Sequence, residues 1–341
     1  KSDAQRWERE EARKSERGEL PSATRRDTRT VGSIGDQWVV NLAERDLKPK
    51  TITGYESLWR TIVRPHWGSQ KPRTVQAVDI RDWLVALKAN KSGKSLSKSR
   101  KTQAHQVLAM VLDEAVFANV ISVNPARNGL VSRGMKGTQT RQAKPHRYLS
   151  PMELRNLAAI ADEYGDLVFF LGTSGLRWAE ATALTVKDFD GAKVVVNKSA
   201  TEVGGHRTIV PTKSGQDRTV VLPGVTITRV QHLLLDKEPG DLVFTTKSGS
   251  PVIHGNFYNR IWRPSIGEAG MEGLRIHDLR HTATSLAVSS GANVKHVANM
   301  LGHSDVAQTL NRYAGLFTDH LEAVADRMDV LFAESDVQQP T

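Results

Sequence analysis

The chain has 341 residues, 39% of them apolar, no cysteine, a formal net charge of +10 and a pI near 9.8. This length predicts two domains. The lack of cysteine excludes disulfides and thiolate metal sites and fits the cytoplasm. No apolar run approaches the roughly 18 residues of a membrane span, and no charged start leads into an apolar signal core, so neither a membrane protein nor a secreted one is expected. The positive balance points to a polyanionic partner, most often nucleic acid.

Residues 1–30 are densely charged and nearly free of large apolar side chains beyond Trp7 and Leu20. They read as a helix or linker, closed by Gly18 or Pro21, that cannot support a core alone. From 31 to 130 the pattern is helical. Tyr55, Leu58 and Ile62 recur at spacings of 3 and 4, as do Ile80, Trp83, Leu84 and Leu87, and VLAMVLDEAVF (107–117) reads as a buried helix. Breaks are expected at Pro65–Gly68, Lys91–Lys94 and Asn124–Pro125. A small helical bundle should result.

Two acid-free basic tracts follow closely on each other. Lys88, Lys91, Lys94, Lys98, Arg100 and Lys101 lie between Trp83 and Leu112; Arg127, Arg133, Lys136, Arg141, Lys144 and Arg147 lie between Ala115 and Met152. A merely solvated surface mixes its signs, so the tracts read as a grip on a phosphate backbone. Residues 131–147 lack apolar periodicity and form a basic interdomain linker. A second domain opens with YLSPMEL, where Ser150 and Glu153 make a capping box around Pro151. Short β-like runs at 193–197, 207–211 and 218–223 are joined through Gly204–Gly205 and Ser214–Gly215, and helical patterns return from about 256 to 333. The expected fold is mainly α with a small antiparallel β-sheet.

Near the end stands RIHDLRHTATS (275–285), which crowds His277, Arg280 and His281 into about one turn. Two readings compete. The i, i+4 histidines match the spacing of zinc protease helices, but Asp278 replaces the Glu general base and Arg280 would set a fixed cation beside the metal. An anion site recruits more partners. GTSGLRWAEATAL (172–184) places Arg177 just after a glycine turn with Glu180 at i+3, and LGHSDVAQTLNRYAG (301–315) supplies His303 and Tyr313. Taken singly, each of these is an ordinary surface or core residue.

Together, GLRWAEATAL, HDLRHTA and LGHSDVAQTLNRY, with the spacings between them, resemble the tyrosine recombinases, or phage integrase family. The resemblance runs from about Ser33 to Phe332. It is looser in the first domain, where SLSKSRKTQAHQVLAMVLDEAV and NVISVNP resemble the family's core-binding (SAM-like) bundle. It implies a site-specific recombinase that cuts and rejoins double-stranded DNA at attachment or crossover sites through a 3′-phosphotyrosine, without metal, ATP or other cofactor. Tyr313 would be the nucleophile. Arg177 and Arg280 would grip the non-bridging phosphate oxygens. His277 would accept or shuttle the tyrosine proton, and His303 would hydrogen-bond the phosphate. Lys213 matches the hairpin lysine that protonates the leaving 5′-oxygen, with Lys198 as the alternative. Glu180 would orient the arginine helix, and His281 would brace its own. Trp178 and Ala179 depart from the commoner Ile-Ser type, a matter of packing rather than chemistry.

Lys91, Lys94, Lys98, Arg100, Lys101, Arg141, Lys144 and Arg147 are the candidate DNA contacts. The implied domains are 31–130 for core binding, 148–325 for catalysis and 326–341 for a tail helix, with 1–30 as a remnant of an arm-binding domain. The stripe Leu321, Val324, Met328 and Leu331 marks a tail that docks in cis or on a neighbouring protomer of a homo-tetramer, and DNA-bending accessory proteins are implied partners. A Xer-type or transposon recombinase, or a non-catalytic DNA-binding regulator, are the competing functions. The regulator predicts loss of a catalytic side chain.

Overall fold

The computed structural model describes residues 28–88, 93, 95–129, 131, 147–203, 205–212, 215, 217–302, 305–307, 309–311, 313 and 329. The expected N-terminal remnant, most of the linker and the tail stripe lie outside them. Backbone proximity divides the chain into two compact units, Lys1–Arg141 and Gln142–Thr341. Among the described residues no helix is long and apolar enough to cross a membrane.

The first unit is a helical bundle of α1 (Val31–Asn41), α2 (Pro49–Leu58), α3 (Arg64–Trp67), α4 (Ala77–Ala86) and α5 (Lys98–Phe117). Thr30 caps α1 and Ser97 caps α5, each accepting a hydrogen bond from the third backbone N–H of its helix. Val31 and Trp38 of α1, with Leu42 just after it, meet Val107, Leu108, Val111 and Leu112 of α5 in a buried core. The sequence reading placed a break at Pro65–Gly68, and the helix ends there, at Trp67; it carries Pro65 in its last turn because Trp59–Val63 widens into a π turn just ahead. Proline donates no N–H and its ring crowds the preceding turn, and the wider turn relieves both. The same device recurs at Tyr258–Trp262 ahead of Pro264.

The second unit opens with α6 (Pro151–Ile160). Ser150 Oγ accepts from the Glu153 N–H, and the Glu153 carboxylate accepts from the Ser150 N–H. Helix α7 (Gly165–Ser174) is apolar on nearly every side, with Val168, Phe170 and Leu171 all buried, and forms the centre of the domain. The short α8 (Trp178–Ala181) follows.

Five strands come next: β1 (Phe189–Asp190), β2 (Lys193–Val196), β3 (Lys198–Val203), β4 (His206–Pro211) and β5 (Arg218–Val221). Strands β1, β2 and β5 make an antiparallel sheet, with Val194 opposite Val220; β3 and β4 make a separate hairpin. Alternation sets the packing face, since Val194, Val196 and Val220 are buried while Lys193 and Val221 are exposed. The sequence reading missed β3, whose KSATEV lacks an apolar alternation. Helices α9 (Gly224–Val230), α10 (His254–Phe257), α11 (Arg263–Glu268), α12 (Ile276–Ser289) and α13 (Val294–Leu301) follow among the described residues. Helix α12 packs along α7 and against α13. The fold is mainly helical with a small antiparallel sheet.

Candidate active site

Helix α7 ends at Gly175, which adopts φ +68, a left-handed conformation that side chains disfavour. A Cβ there would also lie 2.7 Å from the Met300 terminal methyl, which would have to move aside. The turn delivers Arg177 to the residue preceding α8. The Arg177 backbone N–H donates to Glu180 Oε2 at 3.0 Å and its guanidinium donates to Oε1 at 2.8 Å. Glu180 is buried at 1% exposure, whereas Arg177 stays partly open. An arginine held by a buried carboxylate yet still facing outward can take a second anion.

Helix α12 carries the second half. Arg275, just ahead of it, lends its N–H to Asp278 Oδ2 at 2.8 Å, which fixes the first turn. Arg280 is buried at 3% exposure. Its guanidinium donates to the Gly175 carbonyl at 2.7 Å and to the Leu301 carbonyl at 2.6 Å, tying α12 to the ends of α7 and α13. Burial first, and the Arg177 charge second, push Arg280 down to about 9, while Glu180 and Tyr313 pull the other way. It therefore remains charged at neutral pH. That mutual coupling puts Arg177, Arg280 and the Tyr313 phenol in one electrostatic neighbourhood.

The sequence reading did not single out Arg218. It lies on β5 with a side chain only 9% exposed. It donates to both Glu180 oxygens, at 3.2 and 2.7 Å, and through Nε to the Met300 carbonyl at 3.1 Å. Gly302, at φ +65, lies so close that a Cβ would come within 2.8 Å of Arg218 Cδ. Three guanidinium groups thus gather around a single carboxylate, and the positive excess suits a phosphate. The run DRTVVL read only as a strand, so the buried arginine within it gave no signal of its own. Arg218→Ala should cost about 3–5 kcal/mol by stranding the Glu180 charge, measured by urea unfolding; a loss under about 1 kcal/mol would contradict the network.

Burial pulls the Glu180 carboxyl upward, but hydrogen bonds and charge from Arg218, with the Arg177 N–H, outweigh it and hold the group down to about 2. A carboxyl depressed on folding stabilises the fold above its unfolded value near 4.5 and loses that contribution as pH falls through 2. The expected loss across this window is about 3 kcal/mol from this one group. Urea unfolding at a series of acidic pH values should show it, and Glu180→Gln should flatten that part of the profile.

His277 is exposed and its ring meets that of His281 edge-on at 5.0 Å. His281 is buried at 1% exposure, and its Nδ1 lies 2.6 Å from the Tyr313 hydroxyl. Tyr313, itself 2% exposed, packs with Val288, Val297 and Leu301. Tyr148, partly buried against the same cluster, is pushed up by burial and by its proximity to Tyr313 and Asp278. Tyr313, 32 residues beyond His281, is thereby brought to the His277, Arg280 and His281 of α12.

Other candidates separate. Lys198, the alternative to Lys213, lies on β3 in an ion pair with Asp188 at 2.6 Å and also donates to Thr185 Oγ1 at 2.9 Å. Lys213 and His303 lie outside the described residues, as do Lys91, Lys94, Arg141 and Lys144. Lys98 is exposed at the first turn of α5, Arg100 is half-buried, and the Lys101 ammonium donates to the Val85 carbonyl at 2.8 Å. Arg147 is exposed and pairs with Glu153 at 3.4 Å. Among the described residues no three His, Asp or Glu side chains gather as metal ligands.

Residues 146–320, more than half the chain, match the Phage integrase family. The integrase of Mycobacterium phage D29 is 27% identical over 313 residues, which span 89% of this chain and 79% of that one. The putative prophage phiRv2 integrase of Mycobacterium tuberculosis is 24% identical over 319 residues, 91% of this chain and 82% of that one. Among solved structures, the Tn1549 transposon integrase in complex with a circular intermediate DNA superposes with a TM-score of 0.70 at 21% identity, covering 88% of this chain and all of that one. A lambda integrase dimer bound to a COC′ core site gives 0.60 at 17% identity, covering 83% and 77%. These likenesses in structure concern the fold, and the sequence match carries the assignment: the chain belongs to the phage integrase family of tyrosine recombinases and is a site-specific recombinase enzyme.

Proposed function

We propose that the enzyme acts as a phage or prophage integrase, with Tyr313 as the nucleophile that attacks a DNA phosphorus. The bond to the 5′-oxygen breaks, and a 3′-phosphotyrosine and a free 5′-hydroxyl result. Arg177 and Arg280 stabilise the charge that accumulates on the equatorial oxygens of the transition state, Lys213 protonates the leaving oxygen, and His277 and His303 complete the phosphate's hydrogen bonds. The supporting observation is the grouping of the Tyr313 phenol with the guanidinium groups of Arg177 and Arg280. Fixed, already charged donors need no reorganisation as charge develops, which is the source of the rate. They supply the kind of stabilisation that other phosphoryl-transfer enzymes draw from divalent ions. The broken bond's energy is held in the phosphotyrosine, so rejoining needs no nucleotide.

The phage and prophage relatives favour an integrase over a Xer-type or transposon enzyme. The basic residues Lys98, Arg100 and Arg147, with Lys91, Lys94, Lys101, Arg141 and Lys144, contact the DNA backbone. These contacts position the protein without reading sequence, and affinity falls steeply with salt. A homo-tetramer on paired sites, joined through the tail after Tyr313 and aided by DNA-bending proteins, completes the reaction. The domain limits are those expected above, 31–130 for core binding and 148–325 for catalysis.

Incubating the protein with a nicked attachment-site duplex in EDTA should give a covalent protein–DNA adduct on a denaturing gel. No adduct on the true site would favour a non-catalytic regulator, and an adduct that needs added divalent metal would contradict the charge-stabilising role given to the arginines.

A further inference from the structure

The group that touches the nucleophile's oxygen is His281. Nδ1 stands 2.6 Å from the Tyr313 hydroxyl, and both side chains are buried, at 1% and 2% exposure. Any buried hydroxyl needs a hydrogen-bond partner, and here that partner is an imidazole, a side chain able to take up a proton. It also sits where an added proton would be stabilised. Asp278, one turn earlier on α12, attracts the imidazolium, and its carboxyl is held low partly by that attraction. The exposed ring of His277 meets His281 edge-on at 5.0 Å and adjoins solvent. In the tautomer with its proton on Nε2, Nδ1 accepts the phenolic proton directly.

We propose that His281, rather than His277, is the catalytic base that takes the Tyr313 proton during strand cleavage and returns it on rejoining. This rests on Tyr313 being the nucleophile, as assigned above. The Oη–H bond breaks with its proton passing to Nδ1, and the Oη–P bond forms. The P–O5′ bond breaks, with the departing oxygen taking a proton from Lys213. Cleavage leaves His281 as an imidazolium and Lys213 neutral; rejoining reverses both transfers. The charged and titratable groups that face His281 are Asp278, which acts on it directly, His277 and Arg280 on the same helix, and Tyr313 and Tyr148 packed nearby.

The test uses the full chain and a suicide duplex with a 5′-bridging sulfur at the scissile phosphate, whose thiolate leaves without a general acid. Single-turnover adduct formation is followed against pH in the wild type and in His281→Asn, whose amide keeps a hydrogen bond but cannot hold the proton. The variant should be slower by about 10²–10⁴-fold at neutral pH, and its rate should climb with pH as the phenolate forms. Placing 3,5-difluorotyrosine at 313 should restore at least tenfold of that loss, because an acidic phenol needs less help. An unaffected His281→Asn, or a loss that fluorination does not relieve, overturns the proposal.

A second measurement avoids the variant altogether. In the wild type the inflection of the pH–rate profile should keep its position when Tyr313 is fluorinated, and an inflection that follows the phenol's acidity overturns the proposal. A wild type that forms adducts still present in Tyr313→Phe would sink the nucleophile assignment itself. Normal Tyr313-dependent adducts alongside an unchanged His281→Asn would sink only the role of His281.

Discussion

Tyr313→Phe is expected to abolish covalent capture of DNA while leaving the fold and DNA binding in place. The change removes one oxygen. The ring still fills its place among Val288, Val297 and Leu301, and the lost hydrogen bond to His281 costs about 1 kcal/mol. In the proposed mode of binding, affinity for the duplex rests on arginines and surface cations that the change does not touch. Gel-shift affinity should therefore stay within about twofold, on a scale where tenfold corresponds to 1.4 kcal/mol, while adduct and recombinant product both vanish. Retained cleavage would place the nucleophile elsewhere; lost binding would mean that Tyr313 organises the DNA surface.

Arg280→Ala should do more, because it strikes the fold and the chemistry together. The guanidinium is the donor to two buried carbonyls at helix ends, those of Gly175 and Leu301. Each unpaired group costs about 1–3 kcal/mol, so a combined loss of about 3–5 kcal/mol is expected. The same group is assigned to the phosphate oxygens, where losing one fixed donor costs about 10²–10³ in rate. The two effects separate by method, with urea unfolding for the first and single-turnover adduct formation on folded protein for the second. Arg280→Lys distinguishes them further. An ammonium keeps the charge but lacks the planar fork that spans both carbonyls, so it should recover part of the rate with little recovery of stability. A lysine variant as stable as the wild type would show that the two carbonyl bonds do not hold α12 in place.

Much of this molecule was legible from sequence because the relevant signals are local. The Ser150–Glu153 box, the buried face of 107–117 and the alternating valines of β2 each depend on residues within a turn or two of one another. The three motifs carrying Arg177, His277–Arg280 and Tyr313 were legible by likeness, since their order and spacing match a family. What escaped is non-local or compensated. The π turn at Trp59–Val63, just ahead of Pro65, is one that no periodicity reveals. Lys198, read as an alternative to Lys213, shows its ion pair only when Asp188 is seen beside it. Arg218 becomes informative only when β5 brings it to Glu180, 38 positions earlier in the chain. His281 was read as a brace for its helix, because its contact with Tyr313 spans 32 residues and joins two elements with no shared pattern. The site is assembled by packing α12 against α7 and α13, and no short stretch of sequence encodes that.

The most direct measurement of the central claim is to trap the adduct, digest it with nuclease and trypsin, and locate the added mass by tandem mass spectrometry. Cleavage after Arg312 and Arg327 isolates the peptide YAGLFTDHLEAVADR, residues 313–327. The account predicts a nucleotide joined through phosphate to its first residue, Tyr313. A nucleotide found on any other peptide, or an adduct that survives Tyr313→Phe, would contradict it.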